Sequence, residues 1–124
     1  MRVGGDEIDI KVSSEALLVA EVRMAAGGGP PGLHRHDAAE VYRVDEGELA
    51  IYVEDERRVT RAGEVVHIPG GAAHTIRNES GARARALVVF SPGSEMEAFV
   101  RAAAVARRPE DVVALAQRHG ITFA

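Results

Sequence analysis

The sequence predicts an all-β barrel or sandwich that ends in a short helical tail. Three observations carry that expectation. Between Ile8 and Phe90, short runs of alternating apolar and polar residues recur, about eight in all. Clusters of Gly, Pro, Asp, Glu and Ser separate them at intervals too short for helices. Beyond Glu95 the apolar residues switch to helical spacing.

Ile8 to Val12 alternates apolar with charged residues and reads as a short edge strand. Ala16 to Met24, rich in Leu and Val, is a longer one. Ala25 to Gly32, AAGGGPPG, can be neither helix nor central strand, because Pro lacks the backbone donor. In Leu33 to Asp45, His34, His36, Glu40, Tyr42 and Val44 have the same parity. They share one face if pairing resumes in phase after Asp37–Ala39, while Arg35, Val41, Arg43 and Asp45 face away. Asp45-Glu46-Gly47-Glu48 is a turn, and Leu49, Ile51 and Val53 read as the returning arm of a hairpin. Glu54-Asp55-Glu56 turns again into Arg57–Thr60. Arg61–Glu64 turns into Val65–Ile68, which stops at Pro69-Gly70-Gly71. His74, Ile76 and Asn78 open another strand on one face. Ala84 to Phe90 is a last, buried strand, halted at Ser91-Pro92-Gly93.

In the tail, Met96, Phe99, Val100 and Ala103 form one helical stripe, with Glu95 and Glu97 at the helix start. A second helix is expected from Pro109. Its stripe is Val112, Leu115, Ala116 and His119, and Gly120 sits at the stop. The expected division is a barrel over residues 1–94 and a helical tail over 95–124, packed on the barrel or on a second subunit. Left bare, the tail would expose Phe99, Val112 and Leu115, so a homodimer is expected.

Composition bounds the function. The chain has 124 residues, enough for one domain with its own core. It has no cysteine, which excludes disulfides, thiolate zinc sites, iron–sulfur clusters and cysteine nucleophiles. The formal charge of −4 and the scattered basic residues argue against a nucleic-acid surface. The acidic start MRVGGDEIDI is unlike a signal peptide, and no apolar run approaches a membrane span. A soluble cytoplasmic protein is the expectation. There is no Gly-X-Ser-X-Gly elbow, and Gly27-Gly28-Gly29 lacks the Lys-Ser/Thr of a phosphate loop.

The chemistry-bearing residues are His34, His36, Glu40 and His74. Three imidazoles and one carboxylate from two strand-like stretches are a metal-ligand set. His-X-His brings two rings to one face of one strand, and His74 follows a sharp Pro-Gly-Gly turn from a neighbouring one. Nitrogen and carboxylate donors without thiolate suit a divalent transition metal: Fe(II), Mn(II), Co(II), Ni(II) or Zn(II). Four protein ligands on an octahedral ion leave two positions for substrate, water or dioxygen.

These residues also carry a family resemblance. Gly28, His34, His36, Glu40 and Gly47 match the first cupin motif over residues 28–47: Gly, five residues, His-X-His, three, Glu, six, Gly. Gly63, Pro69, Gly71, His74 and Asn78 match the second over 63–78: Gly, five, Pro-X-Gly, two, His, three, Asn. The chain thus resembles small single-domain bacterial cupins. Its ending, LAQRHGITFA, is similar to the helical tails of cupins related to flavonol dioxygenases and polyketide-pathway cupins. The resemblance implies a jelly-roll barrel of six to eight strands with a metal inside, held by His34, His36, Glu40 and His74. It implies a small-molecule substrate, a homodimer paired through strands and tails and, as first expectation, dioxygenase-type (oxidoreductase) chemistry. A metal-dependent binder or sensor, and an isomerase or cyclase, are the alternatives, because one fold carries many chemistries.

Two residues are candidates for catalytic roles, Glu40 as a base that could leave the metal and Tyr42 as a donor on the same face. His67 is expected to face out. His119 should cap its helix or lie exposed. Arg35, Arg43 and Arg77 should point away from the ligands, and Asn78 should fix a turn or strand end. Gly47, Gly63 and Gly71 are expected where φ is positive or backbones approach closely.

Overall fold

A computed structural model describes residues 1–124. Eleven strands and two helices follow in order: β1 (Arg2–Val3), β2 (Asp6–Ser13), β3 (Leu18–Met24), β4 (His34–Arg35), β5 (Ala39–Glu46), β6 (Glu48–Val53), β7 (Glu56–Arg61), β8 (Val65–Ile68), β9 (His74–Arg77), β10 (Ala84–Ser91), α1 (Ser94–Ala104), α2 (Pro109–Arg118) and β11 (Thr122–Phe123). One sheet has the order β1-β2-β3-β10-β5-β8 and the other β11-β4-β9-β6-β7, all pairs antiparallel. The inner faces of both bury Leu18, Val44, Leu49, Ile51, Ile68 and Ile76 in one core. This is the expected all-β jelly-roll barrel with two short helices after it.

Alternation placed most strands correctly, but two pairings differ from expectation. The stretch 33–45 is two strands, because the chain leaves one sheet after Arg35 and joins the other at Ala39. Its even-numbered residues His34, His36, Glu40, Tyr42 and Val44 are all buried, as parity required, yet they do not share one strand face. The expected hairpin across Asp45–Glu48 does not form. There β5 and β6 belong to different sheets, and Gly47 (φ 75°) carries the crossing. A Cβ at Gly47 would stand 2.7 Å from the Arg83 carbonyl oxygen, so the crossing strand passes too close for any side chain. As expected, β2 is an edge over most of its length, since the two-residue β1 pairs only with Asp6 and Glu7 at its start. Gly63 and Gly71 also have positive φ, at 90° and 84°.

Both helices form where the spacing placed them. Pro109 opens α2, and Gly120 (φ 78°) turns the chain beyond it. Met96, Val100 and Ala103 of α1 and Ala116 of α2 are buried. Phe99, Val112 and Leu115 are half-buried within the single chain. The tail is also not helical to its end: Ile121 enters the core and β11 pairs with β4. No helix is long and apolar enough to cross a membrane.

Candidate metal centre

The two sheets meet at the four predicted ligands. His34 on β4 lies directly opposite His74 on β9. Glu40 lies in the other sheet, between Phe90 of β10 and Ile68 of β8. His36 occupies the crossing between them. The Pro-Gly-Gly turn is what lets these segments close together. Gly71 N–H donates to the His36 carbonyl at 2.9 Å, and a Cβ on Gly70 would fall 2.3 Å from the Asp37 carbonyl oxygen. Only glycine permits that approach.

All four side chains are buried, with Glu40 2% and His74 1% exposed. One potential ligand atom from each lies within 4.8 Å of every other. Each imidazole is locked by its far nitrogen. Nδ1–H of His34 donates to Gly32 O (2.8 Å), that of His36 to Ala38 O (2.9 Å), and that of His74 to Ala72 O (2.9 Å). A carbonyl can only accept, so Nδ1 carries the hydrogen and the Nε2 lone pair is left for the centre. Such partners fix ring orientation around a metal.

Glu40 Oε2 stands 2.8 Å from His36 Nε2 and 2.5 Å from His74 Nε2. Yet all three atoms are buried without an aligned hydrogen-bond partner. Buried polar atoms are rarely left so. Three buried polar atoms thus crowd together with no other partner, an arrangement that a shared cation would satisfy. The residues therefore fit a divalent transition metal on their own geometry.

The electrostatics agree. With no metal bound, burial alone would raise the Glu40 pKa, but the imidazoles of His36 and His74, carrying a hydrogen on Nε2 in place of a metal, outweigh it and hold the carboxyl at about 2. Burial lowers His34 to about 4, which keeps its imidazole neutral at pH 7. Burial would lower His74 too, but the adjacent Glu40 carboxylate raises it.

His34, His36 and Glu40 open onto a cavity of about 530 Å³. Of its 29 lining residues 18 are hydrophobic, so it suits an organic body rather than a polyanion. Tyr42 lines it, buried beside Glu40. Burial foremost, then the Glu40 and Asp6 carboxylates, push its hydroxyl well above the usual tyrosine range, so it stays a neutral donor. The expected outward residues do face out: His67, Arg35 and Arg43 are exposed. Arg77 is half-buried and donates to the Pro30 carbonyl at 3.3 Å. His119 Nδ1 lies 2.9 Å from Glu95 Oε1 and ties α2 to α1, a link the sequence did not reveal.

Two features of the cavity escaped sequence reasoning. The tail supplies much of one wall, through Met96, Phe99, Val112, Ile121 and Phe123. Asp6 lies in another wall, and its Oδ1 is buried without a partner. Its parity with Ile8 and Ile10 was the available signal. Burial raises Asp6 from 3.8 to about 6, against the opposing pull of the Gly29 amide. Because the folded-state pKa is the higher one, the folded protein holds this proton more tightly. Stability from it is full below about pH 4 and is lost as pH rises through 6. Asp6→Asn is therefore expected to stabilise the protein by about 1–2 kcal/mol at pH 8, after allowance for partial solvent screening, and by little at pH 4. Urea unfolding of both proteins across that range checks it. A gain independent of pH would contradict it.

Over residues 20–90, more than half of the chain, the sequence matches the cupin domain family, and the protein belongs to that family. No curated protein matches the sequence. Among solved structures it is similar to TT1209 from Thermus thermophilus, at 31% identity and a TM-score of 0.65 over 70% of this chain and 83% of that one. An RmlC-like cupin from Shewanella frigidimarina gives 22% identity and a TM-score of 0.69, over 76% and 82%. A predicted oxalate decarboxylase from Thermotoga maritima gives 25% and 0.64, over 70% and 80%.

Proposed function

We propose that the protein is a metal-dependent enzyme acting on a small, largely apolar organic molecule inside the barrel. The observation that carries this is the convergence of three imidazoles and one carboxylate on a common point at the wall of the cavity. His34, His36, Glu40 and His74 hold the ion, with Fe(II), Mn(II) or Ni(II) ahead of Zn(II) and Co(II). Such an ion supplies Lewis acidity and, if redox-active, a route to dioxygen. Oxygenase-type chemistry is the leading reaction class.

The chain's own residues do the rest. The apolar walls exclude water and orient the organic body. Tyr42 offers a hydrogen-bond donor from a hydroxyl that does not ionise near neutrality. Glu40 is a ligand and, on leaving the ion, also the base, since it is the one carboxylate in the set. Glu40→Gln, loaded with metal, is expected to lose at least about 100-fold in turnover. Full turnover with metal bound would remove the base role.

Non-redox chemistry, decarboxylation or isomerisation, is the second reading, favoured by the similarity to the Thermotoga maritima protein. Oxalate itself matches these apolar walls poorly. Elemental analysis of protein purified without chelator comes first. The loaded protein is then screened against small aromatic and aliphatic compounds while dioxygen and product are followed. Dioxygen uptake with product supports an oxygenase, and product without uptake supports the second reading. Tight binding of a compound with no turnover would replace both with a binding or sensing role.

A further inference from the structure

Of the four candidate ligands, His34 sits on the least supported backbone. Its strand is two residues long and meets β9 at one residue pair only. The loop before it contains Pro30 and Pro31, which have no N–H to anchor it. By contrast, Glu40 is paired on both sides, with Phe90 of β10 and Ile68 of β8, and His36 is held by Gly71. The outer side of β4 is closed by β11, with Thr122 opposite Arg35 and Phe123 opposite His34. Ala124 N–H donates to the Leu33 carbonyl at 2.9 Å. That bond sits one residue along the ladder, so Phe123 and His34 form the non-hydrogen-bonded pair, whose side chains stand closest. Their rings lie 6.0 Å apart, and both line the cavity. The strand is itself anchored by buried Ile121, whose N–H donates to Ala116 O at 2.9 Å.

We infer that Phe123 is a positioning residue for the metal centre: β11 braces His34 from outside, so the end of the chain sets the geometry of a ligand far away in sequence. This rests on the metal-centre reading above. It adds that α1, α2 and β11 belong to the site, since the segment that walls the cavity also holds a ligand in place.

The test is titration of the full metal-free chain with Co(II), with calorimetry for affinity and visible absorption for ligand geometry. Phe123→Ala is expected to weaken Co(II) binding by about 10–100-fold, as loss of an outer partner does, and to alter the spectrum. Phe123→Leu should restore affinity to within about threefold by refilling the contact. Ala124→Pro removes the donor to Leu33 while leaving the Phe123 ring and its extended backbone in place, and should weaken binding in the same direction, which keeps the inference testable should Phe123→Ala fold poorly. Wild-type affinity and spectrum in both Phe123→Ala and Ala124→Pro would overturn the inference and leave the metal centre standing. A wild-type chain that binds no Co(II) would overturn the metal-centre reading itself, and this inference with it.

Discussion

His74→Ala is expected to abolish stoichiometric metal binding. Removing an outer partner of a metal ligand costs about 10–100-fold in affinity, and removing a ligand costs more. Nothing nearby can replace it, because His67 is exposed on the opposite face and water has little access to a position 1% exposed. The metal-free protein suffers too. Glu40 loses the neighbour 2.5 Å away that, with His36, keeps a buried carboxylate charged. Breaking such a buried pair costs about 3 kcal/mol or more at pH 7. Glu40 has its folded-state pKa depressed to about 2, so this stability is present above about pH 4.5 and fades as pH falls towards 2. The deficit of the variant should shrink in the same window. Urea unfolding in chelator at pH 7 and pH 4, beside a metal titration, checks both parts. Retained binding, or a deficit that ignores pH, would contradict the assignment.

Asn78→Asp should be among the most damaging isosteric changes in the chain. Asn78 is 1% exposed, and its amide is used at both ends. Nδ2 donates to Met24 O (2.9 Å) and Ala82 O (2.7 Å), while Oδ1 accepts from the Ser80 amide (3.1 Å) and hydroxyl (2.7 Å). Its backbone also binds the loop before His34, through Gly27 N–H to Asn78 O and Asn78 N–H to Gly28 O. An aspartate keeps the acceptor but turns the two donors into a charged oxygen facing two carbonyls. The buried Met24 contact is lost at about 1–3 kcal/mol before the repulsion is added, while the part-buried Ala82 carbonyl keeps the Ser80 hydroxyl at 3.0 Å. A loss of at least about 4 kcal/mol is expected at pH 7, partly relieved in acid once the carboxyl can donate. Asn78→Ala should cost less than Asn78→Asp at pH 7, because it leaves the Met24 carbonyl unpaired without opposing it. Chemical denaturation orders the three proteins, and an Asp variant as stable as wild type would refute the assigned network.

What the sequence made legible followed from local periodicity and from spacing. The parity of His34, His36, Glu40, Tyr42 and Val44 reported burial correctly, since side-chain direction alternates however the strand is paired. It could not report which sheet each residue joins. The crossing at 36–38 and the failed hairpin at Gly47 are set by contacts distant in sequence, such as Gly47 against Arg83. Helix spacing located both tail helices, but a two-residue strand such as β11 leaves no periodic signal. For the same reason the tail's place in the cavity wall was hidden. Asp6 was visible as an acidic residue in phase with Ile8 and Ile10, yet its burial depends on Gly28 and Met24 closing over it. The backbone carbonyls that lock the three imidazoles lie two residues from each ring, and only the folded turns aim them.

The most direct measurement is an anomalous difference map from crystals of the chain loaded with Ni(II) or Co(II). One peak is predicted, about 2.0–2.2 Å from Nε2 of His34, His36 and His74 and from a Glu40 oxygen. A map without density among those four side chains, or with the ion bound only at the surface, would contradict the account.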